Sequence, residues 1–354
     1  MVGNKRLKLK IMRKNIIILT FSIVGLLFSC QSEDISYPDF DYTTVYFANQ
    51  YPLRTLELGR DPQVDNSLDN EHKVKITATM GGVYSNTEDR IIDIEVDESL
   101  CDGLSFQDGS NLAPLPGNYY TLESNQIVIE DGSILGGVEV QFEDAFFQDP
   151  LTLTRHYVIP ILMTGVTNAD SILSGNALVD TPNRMISSDW VTPPKDYVLY
   201  GIKYVNPWDA NYLRRGEDQI SDGTTTITDI REEEYVEYDE VVSLSTTGFR
   251  QCTLPITIYE DDNLTTRANI ELILTFDDNN NCVISSNSSS YSITGRGEFV
   301  IDGEKNSIGG TDRDALYLDY TVDLQDLGYN YTTKDTLVTR DRGVSPEYFS
   351  VIVE

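Results

Sequence analysis

KVKITATM at 73–80 and RIIDIEV at 90–96 decide the fold class. In the first, Val74, Ile76, Ala78 and Met80 alternate with Lys73, Lys75, Thr77 and Thr79. That period of two puts the apolar residues on one face of an extended chain. Outward from these stretches, Gln126 to Glu130, Gly137 to Phe142 and Tyr157 to Met163 are further short runs rich in β-branched and aromatic residues, punctuated by Gly, Asn, Asp and Pro. No window between Cys30 and Asp189 carries an apolar stripe at 3.6-residue spacing. The sequence therefore predicts an Ig-like antiparallel β-sandwich over residues 41–188.

A boundary is expected where Ser187-Ser188-Asp189-Trp190 runs into Val191-Thr192-Pro193-Pro194-Lys195, because paired prolines fix an extended connection and cannot serve inside a sheet. Beyond it the runs are longer and more aromatic: Tyr197 to Val205, Tyr235 to Ser245, Leu254 to Glu260, Ile270 to Phe276, Tyr291 to Ile301, Ala315 to Leu324 and Tyr331 to Thr339. Turn clusters such as Asp277-Asp278-Asn279-Asn280-Asn281 join them. A meander of this kind removes its edges by closing, so residues 189–354 are predicted to form an antiparallel β-barrel-like domain of lipocalin or jelly-roll type. The whole chain reads as all-β.

The N-terminus carries an address. An apolar run from Ile16 to Phe28 follows Arg13 and Lys14 and ends at Leu27-Phe28-Ser29-Cys30. This is the layout of a lipoprotein signal peptide, residues 1–29, with Met12 as a second conventional start. The run falls short of the ~20 residues that cross a bilayer. Acyl chains on Cys30 anchor a protein by burying about 0.8 kcal/mol per CH₂, so residues 30–40 are expected to be a lipidated linker on a membrane. The acidic Gln31-Ser32-Glu33-Asp34 after it resembles the tract that sends Bacteroidota lipoproteins to the outer face of the outer membrane.

Composition excludes several function classes. The chain has 26 Lys+Arg against 57 Asp+Glu, a formal charge of −31, so nucleic acid and anionic lipid head groups are repelled while neutral ligands such as sugars are not. Of the four Cys, Cys101, Cys252 and Cys282 remain after Cys30; the chain shows no disulfide framework, and Cys252 with Cys282 is the one pair to weigh against three buried thiols. With two His and no G-x-S-x-G elbow, neither a His-based metal site nor a nucleophile triad is indicated. Asp65-Asn66-Ser67-Leu68-Asp69-Asn70 lacks the Gly and the final Glu of a calcium loop, and Glu260-Asp261-Asp262-Asn263 reads as a solvated turn. No catalytic residue, metal or cofactor is expected.

Sugar recognition needs flat apolar faces beside planar polar groups, and 21 Tyr and two Trp supply such faces. Trp190, Tyr204, Trp208 and Tyr212 lie along the chain near Asn206, Asp209, Asn211, Arg214 and Arg215. Trp190, Tyr204, Trp208, Tyr212, Arg214 and Arg215 are the candidate ligand residues. Two alternatives stand beside this reading: strand aromatics such as Tyr200 and Tyr204 face a core, and Arg214 and Arg215 pair with Glu232-Glu233-Glu234.

Several phrases carry a family resemblance. Val45-Tyr46-Phe47-Ala48-Asn49-Gln50-Tyr51-Pro52-Leu53-Arg54-Thr55-Leu56, Met80-Gly81-Gly82-Val83-Tyr84, Pro116-Gly117-Asn118-Tyr119-Tyr120 and Tyr157-Val158-Ile159-Pro160 resemble an N-terminal domain of Bacteroidota surface lipoproteins encoded beside starch-utilisation-type glycan uptake systems. Pro194-Lys195-Asp196-Tyr197, Lys203-Tyr204-Val205-Asn206-Pro207-Trp208 and Tyr212-Leu213-Arg214-Arg215-Gly216 are similar to the C-terminal domain that accompanies it. The resemblance implies a sandwich followed by a barrel-like domain. It also implies a non-catalytic, surface-exposed glycan-binding lipoprotein, with an oligosaccharide or polysaccharide, an outer-membrane transporter and a companion lipoprotein as partners. An adhesin or structural protein-binding lipoprotein is the alternative reading. A glycosidase is a weaker one, since 57 acids make paired carboxylates uninformative.

Overall fold

The computed structural model describes residues 40, 42–259, 267–324 and 328–353. The expected signal, the lipidated Cys30, the acidic tract after it and the Glu260 turn lie outside the described residues. Strands make up 55% of the chain and helices 9%, so the all-β expectation holds.

The first half builds β1 (Thr44–Tyr46), β2 (Pro52–Glu57), β3 (Lys73–Gly81), β4 (Arg90–Val96), β5 (Gln126–Ile129), β6 (Leu135–Phe142), β7 (Tyr157–Thr167) and β8 (Tyr197–Val205). One layer runs β1-β3-β6 and the other β5-β4-β7-β8-β2. The two meet through a single pair, Val128 with Gly137. A Cβ on the neighbouring Gly136 would lie 2.1 Å from the Val128 carbonyl oxygen, so glycine is what lets the chains cross there. Inward residues of both layers fill one core: Val74, Ile76, Val138 and Val140 from the first, Ile92, Ile127, Ile159 and Ile202 from the second. The alternation in KVKITATM is thus the burial pattern of β3, whose Val74, Ile76, Ala78 and Met80 are all buried.

Tyr157 to Met163 does not alternate, and the structure supplies the reason. Tyr157, Ile159 and Ile161 face the main core, while Val158 and Leu162 face a second cluster made by Leu53, Phe106, Tyr197, Leu199 and Phe349. A strand covered on both sides reads as a continuous apolar run.

Tyr197–Val205, on the C-terminal side of the expected boundary at 188/189, hydrogen-bonds to strands of the first half. β8 pairs antiparallel with β7 and parallel with β2, which makes Tyr197–Val205 a sandwich strand and introduces a parallel pair into a sheet expected to be antiparallel. The C-terminus also returns: Glu347–Tyr348 pairs with β2 and Val351–Val353 with Leu104–Phe106. Tyr197 and Leu199 carry apolar side chains toward the second cluster, which the barrel would leave exposed.

The second half forms β9 (Ala210–Ser221), β10 (Thr226–Arg231), β11 (Glu240–Gly248), β12 (Gln251–Tyr259), β13 (Arg267–Phe276), β14 (Asn281–Ser285), β15 (Ser292–Glu304), β16 (Arg313–Leu324) and β17 (Tyr329–Asp341), followed by β18 (Glu347–Tyr348) and β19 (Val351–Val353). All but β10 of the strands β9 to β17 pair in sequence, and β17 pairs back to β9, so the barrel is closed by eight antiparallel strands. This is an up-and-down meander, the lipocalin-like of the two expected arrangements. Two local expectations change. β9 was not foreseen as a strand, because Arg214, Asp218 and their neighbours look like loop residues. Tyr235 opens no strand either: Val236–Tyr238 is a 3₁₀ turn and β11 begins at Glu240.

Cys101, Cys252 and Cys282 are buried free thiols, not a disulfide. Burial pushes the Cys101 and Cys282 thiols up to about 12 and holds Cys252 high as well. None of the three is expected to react with a thiol-specific reagent at neutral pH until the chain unfolds, and titration with a chromogenic disulfide before and after denaturant measures this.

Glu57 is buried, its Oε1 lacks a hydrogen-bond donor, and Arg342 Nε stands 3.5 Å away. Burial raises its carboxyl to about 7, against the pull of Arg342 and with help from Asp61 and Asp69. A folded-state value above the ordinary one means the folded protein holds the proton longer. The associated stability is full below the ordinary carboxylate range and is lost as pH rises through about 7. Glu57→Gln keeps the neutral form, so thermal unfolding at about pH 5 and about pH 8 should show wild type losing ground to the variant at the higher pH. An unchanged difference would sink the assignment.

Candidate functional site

A cleft of about 360 Å³ opens in the side of the barrel. Its origin lies in how β11 runs. β11 pairs with β9 through Glu240 to Leu244 and only then crosses to β12, which it meets at Ser245 to Gly248. The upper half of β9, Gly216 to Ser221, is instead covered by β10. Among the described strands β10 pairs with β9 alone, and Leu254 to Tyr259 of β12 pair with β13 alone. The wall is therefore unbridged between Asp229-Ile230-Arg231 and Thr257-Ile258-Tyr259, and both segments line the cleft.

Arg214, Asp239 and Glu240 line it too, with Glu232 and Glu233 at its rim. Beneath them lies a charged network inside the barrel. Arg214 Nε donates to Asp335 Oδ2 at 3.0 Å, with the two side chains 1% and 0% exposed. The Tyr320 hydroxyl donates to the same oxygen at 2.9 Å and accepts from Arg214 Nη2 at 3.3 Å. Arg231 Nη2 reaches Asp335 Oδ1 at 2.7 Å, its Nε reaches Asp218 Oδ2 at 2.9 Å, and Thr333 donates to Asp218 Oδ1 at 2.7 Å. Gly216 makes room for this convergence, since a Cβ there would lie 2.5 Å from Asp335 Oδ1. Burial works against the charges on Arg214 and Arg231, but the carboxylates outweigh it and both guanidiniums are held above their ordinary range. Burial first, then Asp335, pushes the Tyr320 hydroxyl well above its usual value.

Arg215 points the other way on β9 and ties down the rim. Its Nε donates to Asp239 Oδ2 at 2.6 Å and its Nη1 to Glu232 Oε1 at 3.2 Å, while Asp239 Oδ1 accepts from the Glu233 backbone N–H at 3.0 Å. The segment so held presents Tyr235 and Tyr238, 56% and 73% exposed, with ring centroids 6.0 Å apart and edge to face. The two exposed rings stand in the segment between cleft-lining Glu233 and Asp239 without lining the cleft themselves.

The structure disperses most of the predicted ligand residues. Tyr204 is buried in the sandwich core with its hydroxyl donating to Phe147 O at 2.9 Å, and Tyr212 is buried in the barrel, donating to Trp208 O at 2.7 Å. Trp208 is buried and stacks on Phe276 at 4.0 Å and 5°, its Nε1–H donating to Asn280 Oδ1. These rings pack into the two cores, and Trp208 also lines a separate recess with Leu58, His72 and Phe249. Trp190 sits on a small ladder with Asn176 and Ala177, donating to Asn183 O, and contributes nothing to the cleft. Arg214 lines the cleft and pairs with Asp335 and Glu240, whereas Arg215 pairs with Glu232 of the glutamate tract and with Asp239, so the pairing alternative describes Arg215 alone. Reasoning from sequence missed Tyr235 and Tyr238. Aromatics three apart among Glu232, Glu233, Glu234 and Glu237 cannot all turn inward, and that was the signal available.

Removing one partner of a buried pair leaves the other charged and unsolvated, so Arg214→Ala is expected to cost roughly 3–5 kcal/mol in denaturant unfolding. Arg215→Ala, whose pairs are partly solvated, should cost on the order of 1 kcal/mol or less. Equal losses would mean the inner network is not what holds this side of the barrel.

A family model described as an N-terminal domain matches residues 40–170, and a second, "Domain of unknown function (DUF5627)", matches residues 207–343. No curated protein matches the chain. A crystal structure of a protein of unknown function from Bacteroides ovatus is 47% identical, with a TM-score of 0.83 over 89% of this chain and 100% of that one. An auxiliary nutrient binding protein from Bacteroides thetaiotaomicron is 11% identical over 81% of this chain and 90% of that one, at a TM-score of 0.32 that supports no residue correspondence. With 47% identity to a Bacteroides ovatus protein whose full length it spans, the chain belongs to that protein's two-domain Bacteroides family, an N-terminal domain followed by DUF5627.

Proposed function

We propose that this protein is a non-catalytic glycan-binding lipoprotein and that the cleft in the barrel wall is its ligand site. The observation that carries the reading is the pairing of a polar cleft with an open aromatic pair. Carboxylates and guanidiniums fixed by one another present directional acceptors and donors for hydroxyl groups, and Tyr235 with Tyr238 presents faces for the C–H side of a sugar ring. Arg231 Nη1 is buried beside the cleft without an acceptor, a donor that a ligand oxygen would satisfy. A glycosidase needs one carboxyl free to act as acid. Asp218, Asp239 and Asp335 each accept from a guanidinium and are not free in this sense, while Asp229 and Glu233 line the cleft without such a partner among the described residues. Membership in a Bacteroides family and the lipobox ending at Cys30 support anchoring on the outer face of the outer membrane, beside an uptake transporter and its companion lipoprotein. Display on a membrane would raise the effective concentration of individually weak sites.

A glycan and polysaccharide screen on the protein from Gln31 onward tests this. Each stacking ring is worth about 1 kcal/mol beyond its buried area, so Tyr235→Ala and Tyr238→Ala should each weaken a positive by roughly five-fold, measured calorimetrically. Retained binding in the double variant would move the site elsewhere, and no binding to any glycan would favour a protein-binding role, which a pull-down with deglycosylated surface proteins would then read.

A further inference from the structure

We infer that the cleft takes glycans that are neutral or carry an amine and turns away those that carry carboxylate or sulfate groups; this rests on the reading of the cleft as a glycan site. Recognition of an anionic sugar needs a cation whose charge is not already neutralised. Each guanidinium at this site is committed to two carboxylates: Arg214 to Asp335 and Glu240, Arg215 to Asp239 and Glu232, Arg231 to Asp218 and Asp335. Among the described residues lining the cleft there is no Lys or His.

The remaining donor, Arg231 Nη1, belongs to a guanidinium shared between Asp218 and Asp335, so it can offer a hydrogen bond to a hydroxyl but little net positive field. On the other side of the balance, Asp229 and Glu233 line the cleft with carboxylates that no ion pair neutralises among the described residues. Glu234 and Glu237 are exposed on the same rim segment as the two tyrosines. A second anion would enter a recess walled by low-dielectric protein and already carrying excess negative charge, whereas an ammonium group would find carboxylate oxygens with spare lone pairs.

The experiment takes each neutral glycan that binds in the screen and offers it again in two forms made from it, one with primary hydroxyls oxidised to carboxylates and one with its reducing end aminated. The oxidised form should bind at least about ten-fold more weakly at about 0.01 M salt. The gap should narrow by about 0.15 M salt, where the Debye length falls from about 30 Å to about 8 Å. The aminated form should bind as well as the neutral one or better. In an Asp229→Asn, Glu233→Gln double variant, at positions that are exposed or half-buried, the ratio between neutral and oxidised forms should shrink. Oxidised and neutral forms binding alike, or a gap that neither salt nor the double variant changes, overturns the charge selection. Binding of no neutral glycan is a different result, and it overturns the glycan reading together with this inference.

Discussion

The guanidinium of Arg342 holds the two halves of this molecule to each other. It is buried, and a buried charge survives only where hydrogen bonds replace its water. Its Nη2 donates to Leu58 O and Asn206 O at 2.9 Å each, its Nη1 to Arg60 O at 3.2 Å, and Glu57 stands beside its Nε. Those acceptors belong to the exit from β2 and to the link between β8 and β9. Arg342 itself follows the last barrel strand, so one side chain joins the sandwich, the linker and the end of the barrel.

Asn206 carries the same logic further. It is fully buried, and its amide donates to Gly248 O and Gln251 O while its Oδ1 accepts from the Trp208 and Asp209 backbone N–H groups. The turn between β11 and β12 is thereby pinned to the linker. That turn is where β11 meets β12, so the junction sets the diagonal of β11 and hence the seam that opens above it. The geometry of the cleft is, on this argument, a consequence of how the two halves are joined.

What the sequence disclosed and what it hid follow from the same physics. Half-buried strands such as β3 and β12 alternate and were legible. β7 and β8 read as strands but were assigned to different halves, because a strand covered on both faces carries no mark of what covers it. β9 was illegible since its inward positions include Arg214, Gly216 and Asp218, a pattern that looks like a loop until Asp335, 121 residues from Arg214, is placed opposite. Arg214 was read as a ligand residue, with Asn206 beside it, because planar polar groups serve buried hydrogen-bond networks and binding sites alike. Only burial separates the two uses, and burial is a tertiary property. Tyr235 and Tyr238 were hidden by the opposite fault: acids alternating with aromatics resemble a strand.

An open seam is a hazard in a barrel, because closure is what protects such folds from pairing with other chains. Here the exposed edge belongs to β10, a strand of six residues that carries Asp229 and Arg231, with the glutamate tract immediately after it. Short length and charge are the ordinary means of blunting an edge. Arg231 adds a third, since its bonds to Asp218 and Asp335 hold β10 down on the barrel's inner network. The groups that keep the seam from recruiting a foreign strand are therefore the groups that line the cleft. Replacing them with apolar residues would favour local stability by removing buried charge, yet it would bare the edge and take away every directional contact a hydroxylated ligand could use. A polar, charge-rich wall at this one place would serve both the blunted edge and the proposed ligand site with the same side chains.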